Sequence, residues 1–493
     1  MPAPAKTDSN ESTAALLQTE SVPVLIGGEE AINVDEMLTR FAGEFGPWQL
    51  RQFLLTSLAW ILCAFQVMAV VFADQAPAGP GACPVGSQLG RKWWWARSTV
   101  EEWRLGCGDR YKVGLPQSAF FAGSMAANSP AGWPTHAFSD TLGAGGSVSV
   151  RRSPAISPTP SSAAKESSLS TASSWQSSAS SPPSPLLSQP TPSSGLTPGG
   201  VGLSAFVLST EPVGPSFRAA AAMSNFHFFS IGSISLSVTS LLLPSWRLLY
   251  ISTSIPCILF LLLALPFISE SPRWHLVRRN LPAAIQIMRA IAKTNGYFIP
   301  DRTSLSQTAD PTRTVRSASI IDVMRSKVTR PRLILGLLIN FLISVSYYGL
   351  TLNVANLGPE IHLSAILNAV AEIPAYALTA VALRWHGRRP MAVTSMWLCG
   401  FLCFAAEAFV NAARTGCAAV GIFAVAATYN LMYVCMAELF PTEVRNAALG
   451  CVSFAGQMGA VAAPVVVAAA GGRWGFGVFG ACAVVAGGVG LGD

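Results

Sequence analysis

Nine long apolar runs divide this chain of 493 residues and restrict the folds open to it. Each run holds about 20 residues, the length at which a helix crosses the roughly 30 Å hydrocarbon core of a bilayer. The runs cover residues 53–73, 219–243, 246–268, 333–352, 361–383, 391–410, 416–435, 447–470 and 474–491, and shorter fragments lie at 113–127 and 199–210. Charged residues make up 12% of the chain, about half the fraction in a soluble protein. The pattern predicts a multi-pass membrane protein that contacts the lipid bilayer and excludes an ordinary soluble enzyme.

The basic residues predict the orientation of the chain. Residues 1–52 are polar and acidic and lack the features of a signal peptide, so we expect a cytosolic N-terminal segment. Residues 269–332 carry twelve Lys or Arg against four acids, which places this central loop in the cytosol by the positive-inside rule. The two transmembrane halves are then 53–268 and 333–493. The central loop reaches the cytosol only if at least one of the shorter fragments also crosses, and 113–127 is the better candidate. Because the basic residues lie in short loops rather than along one face, we expect no nucleic-acid partner.

Two of the ten cysteines, Cys83 and Cys107, lie in the loop 74–111 that this orientation places outside. In an oxidising compartment they either form a disulfide or remain separate thiols. The other eight lie in apolar or near-apolar segments, where Cys behaves as a small core residue.

Two similar motifs lie 227 residues apart. Glu211 precedes Arg218 by seven residues, just as Glu438 precedes Arg445. Weak internal symmetry of this kind is typical of membrane proteins built from two six-helix halves, so the repeat predicts twelve helices as six plus six. The basic turn at 384–390 should then have a counterpart in the first half, but the similarity stops after residue 143.

A segment rich in Ser and Pro interrupts the first half. Between residues 153 and 198, 26 of 46 residues are Ser or Pro, a composition that does not supply a lipid-facing helix. We therefore hypothesise that about residues 125–198 come from a misread or frame-shifted stretch of a gene whose normal product has helices there. The alternative is a genuine disordered cytosolic insertion. Sequencing the transcript across this region separates the two.

Several motifs in the expected order resemble the organic cation/carnitine transporters of the major facilitator superfamily. They are Glu438-Leu-Phe-Pro-Thr-Glu-Val-Arg445, Ser269-Glu-Ser-Pro-Arg-Trp274, Gly387-Arg-Arg-Pro390 and, similar to the plant branch, residues 34–38, 44–53 and 72–74. The resemblance implies an all-α membrane protein with a 6+6 helix bundle, disrupted where helices 2–4 are expected. The chain carries no catalytic or phosphate-binding motif, so we expect neither an enzyme nor a cofactor or metal.

Glu372 is the first candidate for a substrate site. It lies in the middle of an apolar run, where a carboxylate costs about 2.5–3.5 kcal/mol unless it is paired or faces water. We expect it to face the central cavity. In the family that the chain resembles, the matching acid contributes to the site for positively charged substrates, which Coulomb attraction explains. The alternative is a carboxylate that hydrogen-bonds a neighbouring helix for packing.

Four further residues complete the predicted substrate site. Tyr347 and Tyr348 offer aromatic faces to a quaternary ammonium group, or else anchor the helix at the membrane interface. Gln457 matches a position that sets charge preference in related transporters, or forms an interhelical hydrogen bond. In one interpretation His227 couples protons, a role that histidine side chains often have. In the other it is a packed, neutral histidine.

The charges at the helix ends are candidates for gating. We expect Glu211 to pair with Arg218, and Glu438 with Arg445, on the cytosolic side, with Arg388 and Arg389 in the same role. The alternatives are solvated pairs and basic turns that merely fix orientation.

These observations favour a secondary transporter of small organic cations or zwitterions, such as carnitine-like amines, that works by alternating access. The coupling ion, proton or sodium, and the membrane, plasma or vacuolar, stay open. One alternative is a transport-inactive membrane remnant that binds or senses. Another is a sugar-type carrier of the same superfamily, which would need more Gln and Asn in its second half.

Overall fold

The computed structural model describes residues 25–26, 29–73, 98–99, 118, 120–122, 202, 205–243, 245–277, 280–300, 303–305, 320–355, 361–383, 385, 387–409, 411–440, 442–470 and 475–489. Cys83, Cys107 and the segment 125–198 lie outside these residues. The side chain of Arg445 also lies outside the description.

The apolar runs form helices, whose ends fall within a few residues of the predicted boundaries in most cases. The long helices are α2 (Pro47–Ala73), α3 (Pro215–Leu242), α4 (Trp246–Leu259, extended by turns Phe260–Ala264 and Leu265–Phe267), α8 (Thr329–Ala355), α9 (Ile361–Ala382), α10 (Arg388–Ala408), α11 (Asn411–Leu439), α12 (Thr442–Ala470) and α13 (Gly475–Val489). Among the described residues, seven helices are long and apolar enough to cross a membrane. Helix α3 matches them in length but carries many serines, and α13 is shorter.

The helices pack into one bundle around a large apolar core. The main cluster draws on α3 and on α8 to α13, and a second cluster joins α2 with α4. Helices α8 and α12 approach so closely that a Cβ at Gly459 would lie 2.5 Å from the Phe341 carbonyl oxygen. The Asn340 side chain donates to the Val452 carbonyl at 2.6 Å across the same interface. A small residue and a buried amide therefore hold these two helices together.

Parts of the two shorter fragments join the bundle. Residues 120–122 and 205–210 are helical. Phe120 and Phe121 are buried against Ala460 in α12 and the ring of Tyr348 in α8. Fragments that are too short to predict as full spans thus contribute side chains to the centre of the bundle.

The N-terminal segment and the central loop form a small unit at one end of the bundle. Strand β2 (Glu29–Ile32) pairs antiparallel with β1 (Leu25–Ile26) and parallel with β3 (Thr303–Leu305). The unit also contains α1 (Val34–Met37), the turn Leu38–Ala42, α5 (Pro272–Val277) and α6 (Leu281–Asn295). Helix α7 (Ile320–Arg325) follows further along the chain, and its Val323 belongs to the main cluster of the bundle. Met37 and Leu38 are fully buried against Met288 and Ile291 of α6. Two segments predicted separately are therefore one packed structure.

Candidate substrate site

A cavity lined by aromatic rings lies in the centre of the bundle, between α2, α3, α8, α9, α11 and α12. Its volume is about 100 Å³, whereas a single water needs roughly 10–15 Å³ on this measure. Eleven of the 17 described residues that line it are aromatic: Trp60, Phe120, Phe121, Phe206, Phe226, Phe229, Tyr347, Tyr348, Tyr376, Tyr429 and Tyr433. The cavity thus offers many ring faces in a small space.

Four tyrosines from two helices stack along one side of this aromatic cavity. The rings of Tyr347 and Tyr429 stack with their centroids 5.0 Å apart. Tyr348 lies edge-on to Tyr347 at 5.2 Å, and Tyr433 edge-on to Tyr429 at 5.8 Å. The ring faces carry partial negative charge, so such a stack attracts cations.

The carboxylate of Glu372 lies behind the tyrosines that line this side of the aromatic cavity. Tyr347 donates to Oε1 at 2.6 Å, while Tyr376 and Ser230 each donate to Oε2 at 3.0 Å. The side chain is 3% exposed. Three helices thus place hydroxyl groups around one acid, which offsets part of the cost of removing it from water.

Glu372 is not among the described residues that line the aromatic cavity. It lines a smaller cavity of about 30 Å³ on its other side, together with Ser233, Ser237 and Asn368. The expectation that Glu372 faces the central cavity is therefore corrected in one respect. The hydroxyls of Tyr347 and Tyr376 separate the carboxylate from that space, because both tyrosines line it and both bind the acid.

The structure distributes the other predicted residues unevenly. Tyr347, Tyr348 and Gln457 line the aromatic cavity, and Gln457 Oε1 is buried without a hydrogen-bond partner among the described residues. His227 is absent from the described lining. It packs its ring against the edge of Tyr376 at 5.6 Å, and its Nδ1 lies 3.3 Å from the Ser224 carbonyl oxygen. This environment favours the packed histidine over a cavity residue.

One acid joins two arginines at the end of the bundle where the central loop lies. Arg218, at the start of α3, contacts Asp35 Oδ1 at 2.5 Å, and Arg273 of α5 binds the same oxygen. Burial alone would raise the pKa of Asp35. The Coulomb attraction of Arg273 and Arg218, with their hydrogen bonds, outweighs it and holds the pKa below its usual value.

These contacts differ from one predicted gating pair, whereas the pairing of Glu438 with Arg445 lies outside the described residues. Arg218 binds Asp35 and not the Glu211 side chain, because α1 folds back against the start of α3. Glu211 accepts a hydrogen bond from Arg273 through its backbone carbonyl at 3.5 Å. Glu438 binds Arg388, which donates to Oε1 at 2.7 Å. Arg389 is exposed beside Arg388. Thus Arg388 and Glu438 do meet across α10 and α11.

Sequence reasoning missed several residues of the aromatic cavity. Tyr429 and Tyr433 are four apart on α11, which puts them on one helix face. Phe226 and Trp60 contact each other across α3 and α2 with centroids 5.0 Å apart. The four-residue spacing was the available signal for the two tyrosines. No local pattern distinguishes Phe226 or Trp60 from lipid-facing aromatics.

Comparisons with known proteins agree with this architecture. The family described as "Sugar (and other) transporter" matches residues 220–491. Organic cation/carnitine transporter 4 of Arabidopsis thaliana is 42% identical over an alignment that covers 99% of this chain and 93% of that protein. Organic cation/carnitine transporter 3 of the same plant is 27% identical, with 91% and 88% covered.

Solved structures extend the likeness to the fold. The proton:xylose symporter XylE bound to 6-bromo-6-deoxy-D-glucose aligns with a TM-score of 0.58 over 89% of this chain and 94% of that chain, at 18% identity. A partially occluded inward-open conformation of XylE from E. coli gives 0.57 at 13% identity, with 89% and 98% covered. At such identities the likeness shows a common helix-bundle fold and nothing about substrate.

Proposed function

The chain belongs to the organic cation/carnitine transporter family of the major facilitator superfamily, and we propose that it carries small organic cations or zwitterions across a membrane. As an integral multi-pass membrane protein it would expose the aromatic cavity to each side in turn, as its two halves rock. Plasma and vacuolar membranes both fit this role. The carnitine-like amines named for its relatives are the substrate class that we assign.

One observation carries this proposal: five tyrosines line the aromatic cavity, and two of them hydrogen-bond the buried carboxylate of Glu372. A quaternary ammonium group has no hydrogen to donate, so ring faces and a nearby negative charge are the groups that recognise it. Cation–π contacts contribute about 0.5–2 kcal/mol each. Glu372 adds Coulomb attraction, which is stronger at a given distance in apolar protein than in water.

The polar groups of the cavity suit the rest of a zwitterion. Trp60 Nε1 and Gln457 Oε1 are buried and without hydrogen-bond partners among the described residues. An indole N–H donates to a carboxylate and an amide oxygen accepts from a hydroxyl. A carnitine-like substrate carries both of these groups beside its ammonium group. Gln457 is neutral and so does not select a substrate by the sign of its charge. Its role would be to orient the bound substrate.

A sugar-type carrier is the second candidate, because the family that matches residues 220–491 is named for sugars. Sugars are recognised by many hydrogen bonds. The described lining of the aromatic cavity holds three Asn, Ser or Gln side chains, Asn430, Ser453 and Gln457. Eleven rings with three such groups favour an organic cation over a sugar.

Equilibrium binding tests the site. The purified full chain should bind labelled tetraethylammonium, and Glu372→Gln should weaken the affinity by about tenfold or more, equivalent to about 1.4 kcal/mol. The matched control is Glu36→Gln, which removes a surface carboxylate paired with Arg40 at 2.8 Å. Its affinity should equal that of the unchanged chain. Equal affinity in Glu372→Gln, or tighter binding of xylose than of tetraethylammonium, would contradict the proposal.

A further inference from the structure

Four basic side chains lie close together in the chain where the central loop enters the bundle. They are Arg325 at the end of α7, Lys327 in the turn that follows, and Arg330 and Arg332 in the first turn of α8. All four are exposed. Among the described ion pairs none includes any of them. This basic surface therefore presents four positive charges within eight residues, without a described counter-charge.

The stability of the two helices accounts for only one of these charges. Arg325 ends α7, and a cation suits the negative end of a helix dipole. Arg330 and Arg332 lie at the start of α8, where the dipole is positive and the first turn holds no acid. Cations at that end weaken a helix. The two arginines therefore favour an anion that comes from outside the chain.

Hydrogen bonds hold the turn between α7 and α8 in one shape. Ser326 Oγ accepts from the amides of Val328 and Thr329 at 3.4 Å each. The Ser326 carbonyl accepts from the Arg330 amide at 3.1 Å. Thr329 Oγ1 donates to the carbonyl of Val323 at 2.8 Å, and Val323 is buried in the main cluster. Because these bonds use the amides of the turn, the charged side chains are the groups that remain to bind an anion.

An apolar stripe continues from the basic surface along α8. Arg330, Ile334 and Leu338 follow each other at intervals of four residues and so share one face of the helix. Ile334 is 51% exposed and Leu338 45%, and both belong to a span long and apolar enough to cross a membrane. In a bilayer this face contacts lipid chains. Long side chains in a helix point towards its N-terminus, so the charge of Arg330 reaches the level of the lipid headgroups.

We propose that the basic surface binds the phosphate headgroups of anionic phospholipids, in the leaflet on the central-loop side of the membrane. Phosphate pairs with Lys and Arg, and the acyl chains of the same lipid lie along Ile334 and Leu338. The positive-inside rule predicts that this side is the cytosol, whose leaflet carries anionic lipids. A soluble phosphate or an acidic protein would use the charges alone and leave the apolar stripe. The inference is independent of the substrate that is transported.

Native mass spectrometry of the purified full chain tests the inference. The chain in neutral detergent is mixed with limiting, equal amounts of phosphatidic acid and phosphatidylcholine that carry the same acyl chains. The species with one bound lipid should contain mainly phosphatidic acid. Each basic residue near an anionic surface contributes a factor of about five, so Arg330→Gln should raise the Kd for phosphatidic acid about fivefold, and Lys327→Gln with Arg330→Gln about 25-fold.

Matched variants separate this surface from net charge. Arg40→Gln with Lys293→Gln removes two exposed positive charges from the small unit and should keep the Kd of the unchanged chain. Arg330→Lys keeps the charge and should stay within about twofold. Added salt should raise the Kd of the unchanged chain, which needs no variant.

Four results would overturn the inference. They are equal losses in the two double variants, an unchanged Kd in Lys327→Gln with Arg330→Gln, no preference of the unchanged chain for phosphatidic acid over phosphatidylcholine, and a Kd that does not respond to salt. Displacement of phosphatidic acid by excess glycerol phosphate, which has the phosphate but no acyl chains, would replace the lipid with a soluble anion.

Discussion

Hydroxyl groups let an apolar bundle hold a carboxylate. Glu372 accepts from Tyr347, Tyr376 and Ser230, and two of these donors also form the wall of the aromatic cavity. Each of these two tyrosines consequently makes two contacts: its ring lines the aromatic cavity, where the proposed substrate would bind, and its hydroxyl donates to the acid. Movement of Tyr347 or Tyr376 would therefore shift the carboxylate of Glu372 as well.

Substitutions at Tyr429 test the ring face apart from the acid. Its ring stacks on Tyr347, and it is not among the described hydrogen-bond donors to Glu372. Tyr429→Phe keeps the ring face and should leave the affinity for tetraethylammonium within about twofold. Tyr429→Leu removes the ring face and should weaken binding by about 2- to 30-fold, because a cation–π contact contributes about 0.5–2 kcal/mol. Equilibrium binding measures both variants. Tyr297→Leu, at an exposed tyrosine remote from the cavity, is the control. Equal losses in the Phe and Leu variants would assign the effect to the hydroxyl.

The residue types of the site were predictable, but their arrangement was not. An acid in the middle of an apolar run and a pair of tyrosines are visible in the sequence. That Tyr347 donates to Glu372 depends on how α8 packs against α9, which no local spacing determines. Ser230 likewise contacts Glu372 only because α9 packs against α3.

Among the elements, the short helix α1 connects parts of the chain far apart in sequence. Its Asp35 binds Arg218 of α3 and Arg273 of α5. Nearby, Gln52 Nε2 donates to the Ser269 carbonyl at 2.8 Å, and the Ser269 amide donates back at 3.1 Å. Sequence proximity favoured Glu211 as the partner of Arg218, whereas the described ion pair of Arg218 is with Asp35. The actual partner lies 183 residues away.

Removing the shared acid should be worse than removing the acid together with one arginine. Asp35→Asn leaves Arg218 and Arg273 side by side without a counter-charge, so the Tm of the purified protein should fall. Arg273→Gln in the Asp35→Asn background should recover part of the loss, with a coupling of about 0.5–1 kcal/mol that shrinks in high salt. Arg40→Gln, from an exposed pair, should change Tm little. Additive losses from Asp35→Asn and Arg273→Gln would contradict the shared site.

Acid should weaken the same contact. Since the pKa of Asp35 lies below its ordinary value of 3.8, the stability it contributes is complete above that value and is lost as pH falls through the lowered pKa. The Tm difference between the unchanged chain and Asp35→Asn should therefore be constant near neutral pH and narrow below about pH 4.

At the scale of the whole molecule, hydrophobic length predicted most of the helices and packing added the rest. The bilayer requires helices of about 20 apolar residues, so the apolar runs predicted where most of the long helices lie. Contacts between distant segments account for features that the apolar runs do not predict. They pair β2 with β3, bury Met37 against α6 and bring Phe120 and Phe121 into the core. The proposed disruption at 125–198 and the pairing of Cys83 with Cys107 stay predictions.

A carrier must do more than bind: its two halves must move around the occupied cavity. The alternative of a transport-inactive remnant shares the aromatic cavity and Glu372, and it differs only in this movement. Binding to the purified protein therefore does not separate the two, whereas net movement of substrate across a membrane does.

The most direct test is uptake of a labelled quaternary amine by cells that express this full chain, beside cells with an empty vector. The account predicts saturable uptake above the vector, reduced about tenfold or more by Glu372→Gln, which removes about 1.4 kcal/mol of attraction, and unchanged by Glu36→Gln at equal amounts of protein in the membrane. Uptake no greater than that of the vector, from a chain that reaches the membrane and binds tetraethylammonium, would contradict it and identify a binding protein instead.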